Sequence, residues 1–536
     1  MKKKKYIANC NPFKLLRVII IKRNIFQLTF FALLIFSPYL FAQKALPQQQ
    51  PARSEDLVEI LKSDELEIIS ENGVDSRRVT NGIFKHKGAL LYSNLAVQNI
   101  STNVIEAFGN VKIVQGDTIT VTGDTLLYFG NTRLAIVSGR KTVLKDSKRT
   151  LTTRKIEYDM ANGIANYKVP GRTVDEENVL TSKEGFYNTT TKEFTYYKNV
   201  KLVNKKYTLT TDTLLYNSIT KWSDFNGKTK IVNKDGTVLG TKGRYNTESA
   251  ESAFHKRTTV DNETYTLTAD SLVVDGKSNN GQGKGNVVIV AKKDKTVLNG
   301  DQGFYWKSKG YSKIFGHAYV RNVVSDDTLY IRADTLYSYE NARDSTRKLV
   351  GYKNVFIYKT DFQGKCDSIS YNTADSIIRF FQKPILWSDQ HYQMEADSIT
   401  AFLVNNEMNR MLLKGKSFVI TEDTLVKQFN QVKGRTINAF FQTGNKLKQV
   451  LVDGNGESAY YAIDDKQKSI GLNRVECGRM NLLFEDNRVQ RIAFVGKPDG
   501  KLIPPTKIKP AERQLDGFNW RIKEKPSKAK TIWAEL

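Results

Sequence analysis

The chain has 536 residues and a formal net charge of +26 at pH 7, from 82 Lys and Arg against 56 Asp and Glu. A globular chain of this length usually folds as three or four domains, but no linker interrupts the pattern described below, so we expect one elongated body. The positive charge is scattered, and the leader predicts export, which argues against nucleic acid as a partner. Phosphate-bearing lipids, an anionic membrane surface or simply solvated strand faces remain as explanations of the charge.

The first 42 residues have the features of a signal peptide. They hold eight Lys and Arg and no acid, and they end in an apolar stretch, residues 25–42, that is interrupted by Ser37 and Pro38. We expect cleavage after Ala42, and an uncleaved anchor is the alternative. Cleavage leaves 74 Lys and Arg against 56 acids, a net charge of +18. Residues 43–56 are polar and rich in Pro and Gln, which predicts a flexible spacer.

A single phrase recurs through residues 57–496. Clear copies read GDTLLYFGN from Gly123, TDTLLYNSI from Thr211 and ADTLYSYEN from Ala333. From Asp124 to Asp397 successive copies are 29 to 33 residues apart. A fixed period of about 30 is typical of a stack of repeats that contact mainly their neighbours, and the alternation of Thr, Leu, Tyr and Val within the phrase predicts a β-strand.

A second strand follows about ten residues after each phrase and contains a small or turn-forming residue. It reads AFGNVKIV from Ala107 and GKGNVVIV from Gly283, and glycine inside a strand usually marks a bulge or a sharp bend. Only Pro170 and Pro384 lie between residues 52 and 497, both near this bend, which suits one continuous sheet. The predicted fold is therefore all-β: an elongated, repetitive solenoid of stacked, V-shaped antiparallel strands with about 13–14 two-strand repeats.

The sequence predicts no catalytic, cofactor or metal site. Cys366 and Cys477 stand at equivalent places three repeats apart, too far for a disulfide, so we predict that both are free, buried and structural. The four histidines are scattered, without Cys or His at zinc-ligand spacing. His255 and His317, which occupy similar repeat positions, are interpreted as surface substitutions.

Aspartate recurs at the second position of the phrase in five consecutive repeats. These residues are Asp270, Asp301, Asp334, Asp367 and Asp397. The intervening strand places successive carboxylates roughly 10 Å apart, too far to share an ion or to act as a catalytic pair, and Arg154 and Lys183 occupy the same position elsewhere. We therefore predict structural hydrogen bonding rather than a calcium ladder or a hydrolytic site.

The repeats end near Val495, and residues 497–536 form a tail rich in Pro and Lys. It carries ten Lys and Arg against five acids, with Phe518 and Trp520 close together. An open stack must protect its terminal strand from unwanted pairing, so the tail is either a cap for that strand or a docking segment for a partner.

The two alternating phrases resemble the OstA/LptA family of lipopolysaccharide-transport proteins. The likeness is clearest in EAFGNVKIVQGDTITVTG from Glu106, which leads into DTLLYFGNTRLA, and it extends over roughly residues 57 to 497. The resemblance implies a β-jellyroll with an apolar interior groove in which lipid A acyl chains travel between the two membranes. It also implies end-to-end contact with matching jellyrolls on inner-membrane and outer-membrane components, and possible end-to-end self-association.

Candidate groove residues are aliphatic side chains of the recurring strands, since burying a methylene contributes about 0.8 kcal/mol. They are Ile119, Val121, Leu127, Leu209, Leu215, Leu267, Val273, Leu329 and Ile331. The sequence leaves open which strand face is inside, and whether the interior is a lipid groove or a dry, self-packed core.

The expected function is a non-enzymatic periplasmic carrier or bridge for lipopolysaccharide, and association with the outer membrane is compatible with that function. The alternative is an extracellular or periplasmic structural solenoid without lipid cargo. A polysaccharide-active enzyme is the third hypothesis and the weakest, because no carboxylate cluster stands out from the repeat background.

Overall fold

The computed structural model describes residues 57–534, apart from residues 72, 176, 279, 294–295, 307–308, 325–326, 341–345, 389–390, 406, 425, 444–445, 465–467 and 486–487. The predicted leader and spacer, residues 1–56, lie outside the described residues. The described part is built almost wholly from β-strands.

The strands follow one another along the chain with short turns between them. The first group is β1 (Glu59–Lys62), β2 (Glu65–Glu71), β3 (Val74–His86), β4 (Ala89–Asn99), β5 (Val104–Gln115), β6 (Ile119–Phe129), β7 (Leu134–Asp146), β8 (Arg149–Asp159), β9 (Ile164–Tyr167), β10 (Gly171–Val174), β11 (Asn178–Ser182), β12 (Glu184–Asn188) and β13 (Glu193–Asn204). The second group is β14 (Tyr207–Asn217), β15 (Trp222–Asn233), β16 (Gly236–Asn246), β17 (Ser252–Phe254), β18 (Thr258–Asp261), β19 (Tyr265–Ala269), β20 (Ser271–Val274), β21 (Gly281–Ala291), β22 (Thr296–Trp306), β23 (Tyr311–Phe315), β24 (Tyr319–Val324), β25 (Asp327–Arg332) and β26 (Thr335–Glu340). The third group is β27 (Arg347–Lys359), β28 (Phe362–Asn372), β29 (Ile377–Phe381), β30 (Ile385–Ser388), β31 (Tyr392–Glu395), β32 (Ser398–Val404), β33 (Glu407–Asp423), β34 (Gln428–Gln442), β35 (Lys446–Ile463), β36 (Ser469–Glu485), β37 (Arg488–Val495) and β38 (Asp499–Ile503).

These 38 strands belong to one antiparallel sheet. Each strand pairs with the strand before and after it in the stack, and ten of the stacked units are split in two at the bend, as β9 and β10 are. If a rung is defined as one complete crossing of the bend, the described sheet has 28 rungs, or 14 repeats of two rungs. The predicted fold class, an elongated repetitive all-β stack, is confirmed.

The bend lies where one strand of each pair contains extra residues. In β5 the register against β6 shifts between Phe108 and Val111, and the intervening Gly109 and Asn110 have φ angles of 75° and 45°. This left-handed region favours Gly and Asn, which explains why the second phrase contains them. Pro170 and Pro384 fall between split strands at the same bend, as predicted.

The bend divides every rung into two wings. Wing A holds the half that carries the recurring Tyr, such as residues 125–129 of β6, and wing B holds the other half, such as residues 119–123. We call the side of each wing that faces the other wing the inner face, because buried side chains from both wings, such as Ile113 and Tyr128, pack there in one cluster.

Aspartates at the bend cap turn residues of the next rung, which lie sixteen positions later for Asp124 and Asp212 and twenty positions later for Asp334. The Asp124 carboxylate accepts the backbone N–H of Arg140 at 2.8 Å, and Asp212 accepts that of Lys228 at 3.0 Å. Asp334 accepts the side-chain amide of Asn354 at 2.8 Å. Structural hydrogen bonding, as predicted for this column, is therefore observed at Asp334 and at the equivalent Asp124 and Asp212.

The bulge also changes which residues point inwards along a rung. In β14, Tyr207 and Leu209 are buried before the bend, whereas Leu214 and Tyr216 are buried after it and Leu215 is exposed. Inward-facing residues thus change from odd to even numbers across the register shift. If side chains are assumed to alternate strictly between the two faces along the whole strand, one half of the strand is assigned to the wrong face of the sheet.

The tail first packs beside the terminal strand and then continues along the stack. The Glu512 carboxylate accepts a hydrogen bond from the Lys501 ammonium of β38 at 2.9 Å, and Leu515 is buried with Ile503. The sheet continues to Ile503, and the following segment contains three 3₁₀ turns (Pro505–Lys507, Pro510–Glu512 and Ile522–Glu524) and the short helix α1 (Lys528–Thr531). This segment runs back along the outer face of wing B towards earlier repeats, because α1 contacts β25 and β27.

Apolar and polar contacts hold the tail in place. Leu515 is buried with Phe418 and Ile420, two outward residues at positions that carry Lys112 and Val114 in β5. The buried Gln393 donates to the Asn519 carbonyl at 2.7 Å and accepts the Arg521 N–H at 2.7 Å. The tail is therefore a strap that covers an apolar outer surface.

Candidate functional site

The inner face between residues 79 and 231 is closed and tightly packed. Leu126, Tyr128, Ile156 and Leu209 are almost completely buried in one continuous cluster that spans both wings. A packed interior of this kind leaves little space larger than a water molecule.

Hydrogen bonds between the wing tips close this part of the V, and we call this line of contacts the seam. The His86 ring and the Tyr128 hydroxyl are 2.7 Å apart, and the Tyr158 hydroxyl donates to the Gln115 side-chain oxygen at 2.6 Å. In the three contacts of the seam where a Tyr hydroxyl is hydrogen-bonded, the partner from wing B lies 41 to 43 residues before the Tyr. The seam therefore follows from the repeat itself, with one Tyr per repeat.

The next seam contact is formed by Asp146, which is 3% exposed. Its carboxylate accepts hydrogen bonds from the Tyr187 hydroxyl and from the Lys192 ammonium, the latter at 2.9 Å. Burial raises the pKa of Asp146, but the hydrogen bonds from Tyr187, Lys192 and Ser147 outweigh this effect and hold the pKa below its ordinary value. Burial and the Asp146 carboxylate both raise the pKa of Tyr187, so the phenol stays protonated as donor.

Arg149 continues the seam as a buried cation. Its guanidinium lies 5.5 Å from the Phe194 ring centre and 5.9 Å from that of Tyr216, and it is 3.8 Å from the Asp175 carboxylate. A cavity of about 10 Å³ beside it has room for about one water. The charge is thus accommodated by aromatic faces and one acid.

The seam ends after Tyr245, whose ring packs at 5.0 Å against Tyr207. In the next repeat Val274 stands where the tyrosine would be, and two repeats later Ser338 does. Neither residue offers a phenol to the opposite wing. Tyr305, between them, is an exposed inner-face side chain.

Beyond the seam the inner face remains apolar and stays buried close to the bend, as at Leu272 and Val287, but its residues further from the bend are only partly buried. Val238, Leu267 and Ile289 lie at the edge of the first core cluster, and the second cluster begins near Leu329. We call the inner face between residues 236 and 349 the open section. It ends at Leu349, which is 40% exposed although it pairs with inner-face Ser338 and Tyr371.

The structure separates the predicted groove residues into three groups. Ile119, Val121 and Leu209 are inner-face residues of the closed, packed part. Leu267, Leu329 and Ile331 line the open section or its border with the second core cluster.

The third group is placed on the opposite side of the sheet. Leu127, Leu215 and Val273 lie on the outer face, and the last two are 37% and 51% exposed. Their assignment to the groove face is corrected, because the bulge at the bend reverses the alternation. Contact of any of these residues with lipid stays a prediction.

Sequence reasoning missed the seam, although its signal was present. Tyr recurs at the sixth position of the phrase, at residues 128, 158, 187, 216 and 245, and is replaced at Val274. His86 was grouped with scattered histidines, but it is buried against Tyr128. A recurring phenol near recurring polar residues was the available clue.

The described residues form no evident metal site and no membrane-spanning helix. Within the described ranges, no group of three or more His, Cys, Asp or Glu side chains could hold a metal ion. In the same part of the chain, no helix is both long and apolar enough to cross a membrane.

Comparison with known families identifies the N-terminal repeats. The family model described as OstA-like protein matches residues 55–212 and 207–270. No curated protein matches the chain significantly. The same rungs and bends continue without interruption from residue 270 to Ile503. Residues 55–270 therefore match the OstA-like family, which confirms for this part of the chain the resemblance predicted from the sequence.

Proposed function

We propose that the chain is a non-enzymatic periplasmic carrier or bridge that shelters the acyl chains of lipopolysaccharide and moves it toward the outer membrane. The family is a transport and binding family, which supports a carrier rather than an enzyme. The observation that carries the proposal is the open section, where apolar inner-face residues such as Leu267, Ile289 and Leu349 remain accessible. An acyl chain that covers them gains about 0.8 kcal/mol for each buried methylene.

The two ends of the sheet suit contact with further jellyrolls. Among the described strands, β1 and β2 pair only with β3, and β37 and β38 pair only with β36. Leu66 and Ile68 on β2 are exposed. Open edges with unpaired backbone groups accept another strand readily, so we propose end-to-end contact with matching inner-membrane and outer-membrane components or with a second copy.

Photocrosslinking in the native envelope tests the carrier. Leu349 and Tyr352 lie on the same strand, β27, with side chains 40% and 46% exposed, but Leu349 faces inwards and Tyr352 outwards. A photoreactive residue at 349 is expected to give a lipopolysaccharide adduct, and the same probe at 352 is expected to give none. Because exposure is matched, a difference reports the face and not accessibility.

The competing function is a structural solenoid without cargo. The fully packed interior between residues 79 and 231 favours it. Absence of a lipid adduct at residue 349, in a folded protein located in the periplasm, would establish this alternative and end the carrier proposal.

A further inference from the structure

The bend carries a cluster of cations in two neighbouring repeats. A shallow cleft of about 470 Å³ is lined there by Arg140, Arg154, Arg172 and Lys183, together with Thr and Ser side chains. All four cationic side chains are exposed. Among the described residues, no acid forms an ion pair with any of them.

The capping rule of the bend explains why an aspartate is absent at Arg154. Asp124 and Asp212 each accept the backbone N–H of the residue sixteen positions later, Arg140 and Lys228. Sixteen positions after Arg154 stands Pro170, which has no N–H to donate. Capping therefore does not require an aspartate at residue 154.

Release from capping does not account for positive charge. Thr241 shows that the same position accepts a neutral residue. Instead, Arg154 and Lys183 occupy it in two consecutive repeats, and Arg172 projects from the outer face of wing B between them. Four like charges in one cleft repel one another, a cost that a bound anion removes.

We propose that this cleft binds a ligand that carries two or more phosphate charges. Arginine forks match phosphate oxygens in bidentate geometry, and lysine adds a compact charge. The Thr152 and Thr181 side chains line the same cleft and supply hydroxyl donors. The phosphates belong either to a soluble diphosphate or to lipid headgroups at an anionic surface.

The site is separate from the interior. It lies at the bend, on the side of the sheet opposite the inner face, so a ligand there does not compete with acyl chains in the open section. The inference goes beyond the proposed carrier function and remains testable if that function fails.

Restoring the consensus residue of the repeat provides the test. The variant Arg154→Asp/Lys183→Asp replaces two cations by the residue that other repeats carry, so folding is preserved while the cleft charge falls from four positive to none. The matched control is Arg435→Asp, which makes the same exchange at the same repeat position far from the cleft. Circular dichroism verifies that each variant is folded.

The purified full-length chain is titrated with inorganic pyrophosphate, and its sedimentation with phosphatidylcholine vesicles is measured with and without phosphatidylglycerol. We expect binding that weakens about tenfold or more in the double variant and weakens with added salt, but is unchanged in Arg435→Asp.

Pyrophosphate binding with this pattern identifies a soluble diphosphate site. Binding to phosphatidylglycerol vesicles alone, with the same loss, identifies headgroup phosphates as the source. The proposal is overturned if the wild-type chain binds neither, or if the double variant binds as the control does.

Discussion

The substitution Asp146→Asn tests whether the seam holds the V closed. Asn keeps the shape of the side chain and an acceptor for the Tyr187 hydroxyl, but it removes the negative charge that faces Lys192. A hydrogen bond to a charged group contributes about 1.5–3 kcal/mol. Lys192 is 29% exposed, and solvent screening puts the expected loss near the lower part of that range, at about 2 kcal/mol.

A loss of about 2 kcal/mol raises the local opening constant roughly 30-fold. Hydrogen exchange followed by mass spectrometry at pH 7 measures this in peptides from β7 and β12, the strands that carry Asp146 and Tyr187. Peptides from β33 to β36 should be unaffected, because each repeat contacts mainly its neighbours. A global melting temperature is less informative, since a long repeat array need not unfold in two states.

Asp224→Asn is the matched control. Its partner is Arg244 at 3.1 Å, and both side chains are 44% exposed, so the expected change is within about 0.5 kcal/mol. If exchange in β7 and β12 of Asp146→Asn stays within twofold of wild type, the seam does not hold the wings together and the reasoning fails.

The pH dependence follows from the lowered pKa of Asp146. The ionised carboxylate is favoured in the fold, so its contribution is complete above the pKa of the unfolded chain, about 3.9, and is lost as the pH falls through the lower folded value. The difference between wild type and Asp146→Asn should therefore be full at pH 7 and shrink on acidification below about 4. An increase of that difference on acidification would contradict the assignment.

Three further predictions address the bend, the strap and the thiols. Asp212→Ala removes the carboxylate that accepts the Lys228 N–H. Hydrogen exchange of that amide should become faster by an amount equivalent to about 1 kcal/mol, and an unchanged exchange rate would show that the cap is dispensable. Deletion of residues 504–536 uncovers Phe418 and Ile420, and it should raise binding of a hydrophobic dye and promote aggregation. A soluble product that does not bind the dye would show that the strap does not cover an apolar surface. Burial raises the pKa of Cys366 to about 12. Alkylation of Cys366 and Cys477 at pH 8 should therefore be slow in the native protein and rapid in denaturant without reductant. Fast labelling of the native protein would refute the burial of the two thiols.

The fold could be predicted from the sequence because many copies of the repeat carry the same pattern. Fourteen approximate copies of one pattern determine strand period, bend position and stacking together, so an irregular copy such as the one at Arg154 does not obscure the series. Cys366 and Cys477, predicted to be free and buried, are both so in the structure. Aspartate capping was also predictable, since its alternatives failed on spacing alone.

The orientation of side chains was not predictable by alternation, because the bulge adds residues within the rung. Leu209 and Leu215 share a face only if the strand is straight, and the register shift between Thr210 and Thr213 against β15 separates them. The strap was equally hidden. Its docking surface includes Phe418, at an outward position that carries Lys112 in β5, and the reason for this apolar residue is evident only once the tail is seen to pack against it.

A closed seam is compatible with a lipid carrier only if burying an acyl chain stabilises the complex more than opening the seam contacts costs. A chain of about twelve methylenes contributes about 10 kcal/mol on burial, whereas one seam contact such as Asp146 with Lys192 contributes about 2 kcal/mol by the estimate above. Insertion of one acyl chain therefore offsets the opening of several seam contacts, provided that the displaced aromatic side chains keep apolar neighbours. A cargo that enters at the open section can then advance toward β1 by separating one contact at a time. On this argument Asp146→Asn, which weakens a contact in the closed part, should extend lipid crosslinking from residue 349 to probes at inner-face positions such as Leu209, and crosslinking confined to the open section in both proteins would restrict the lipid path to that section.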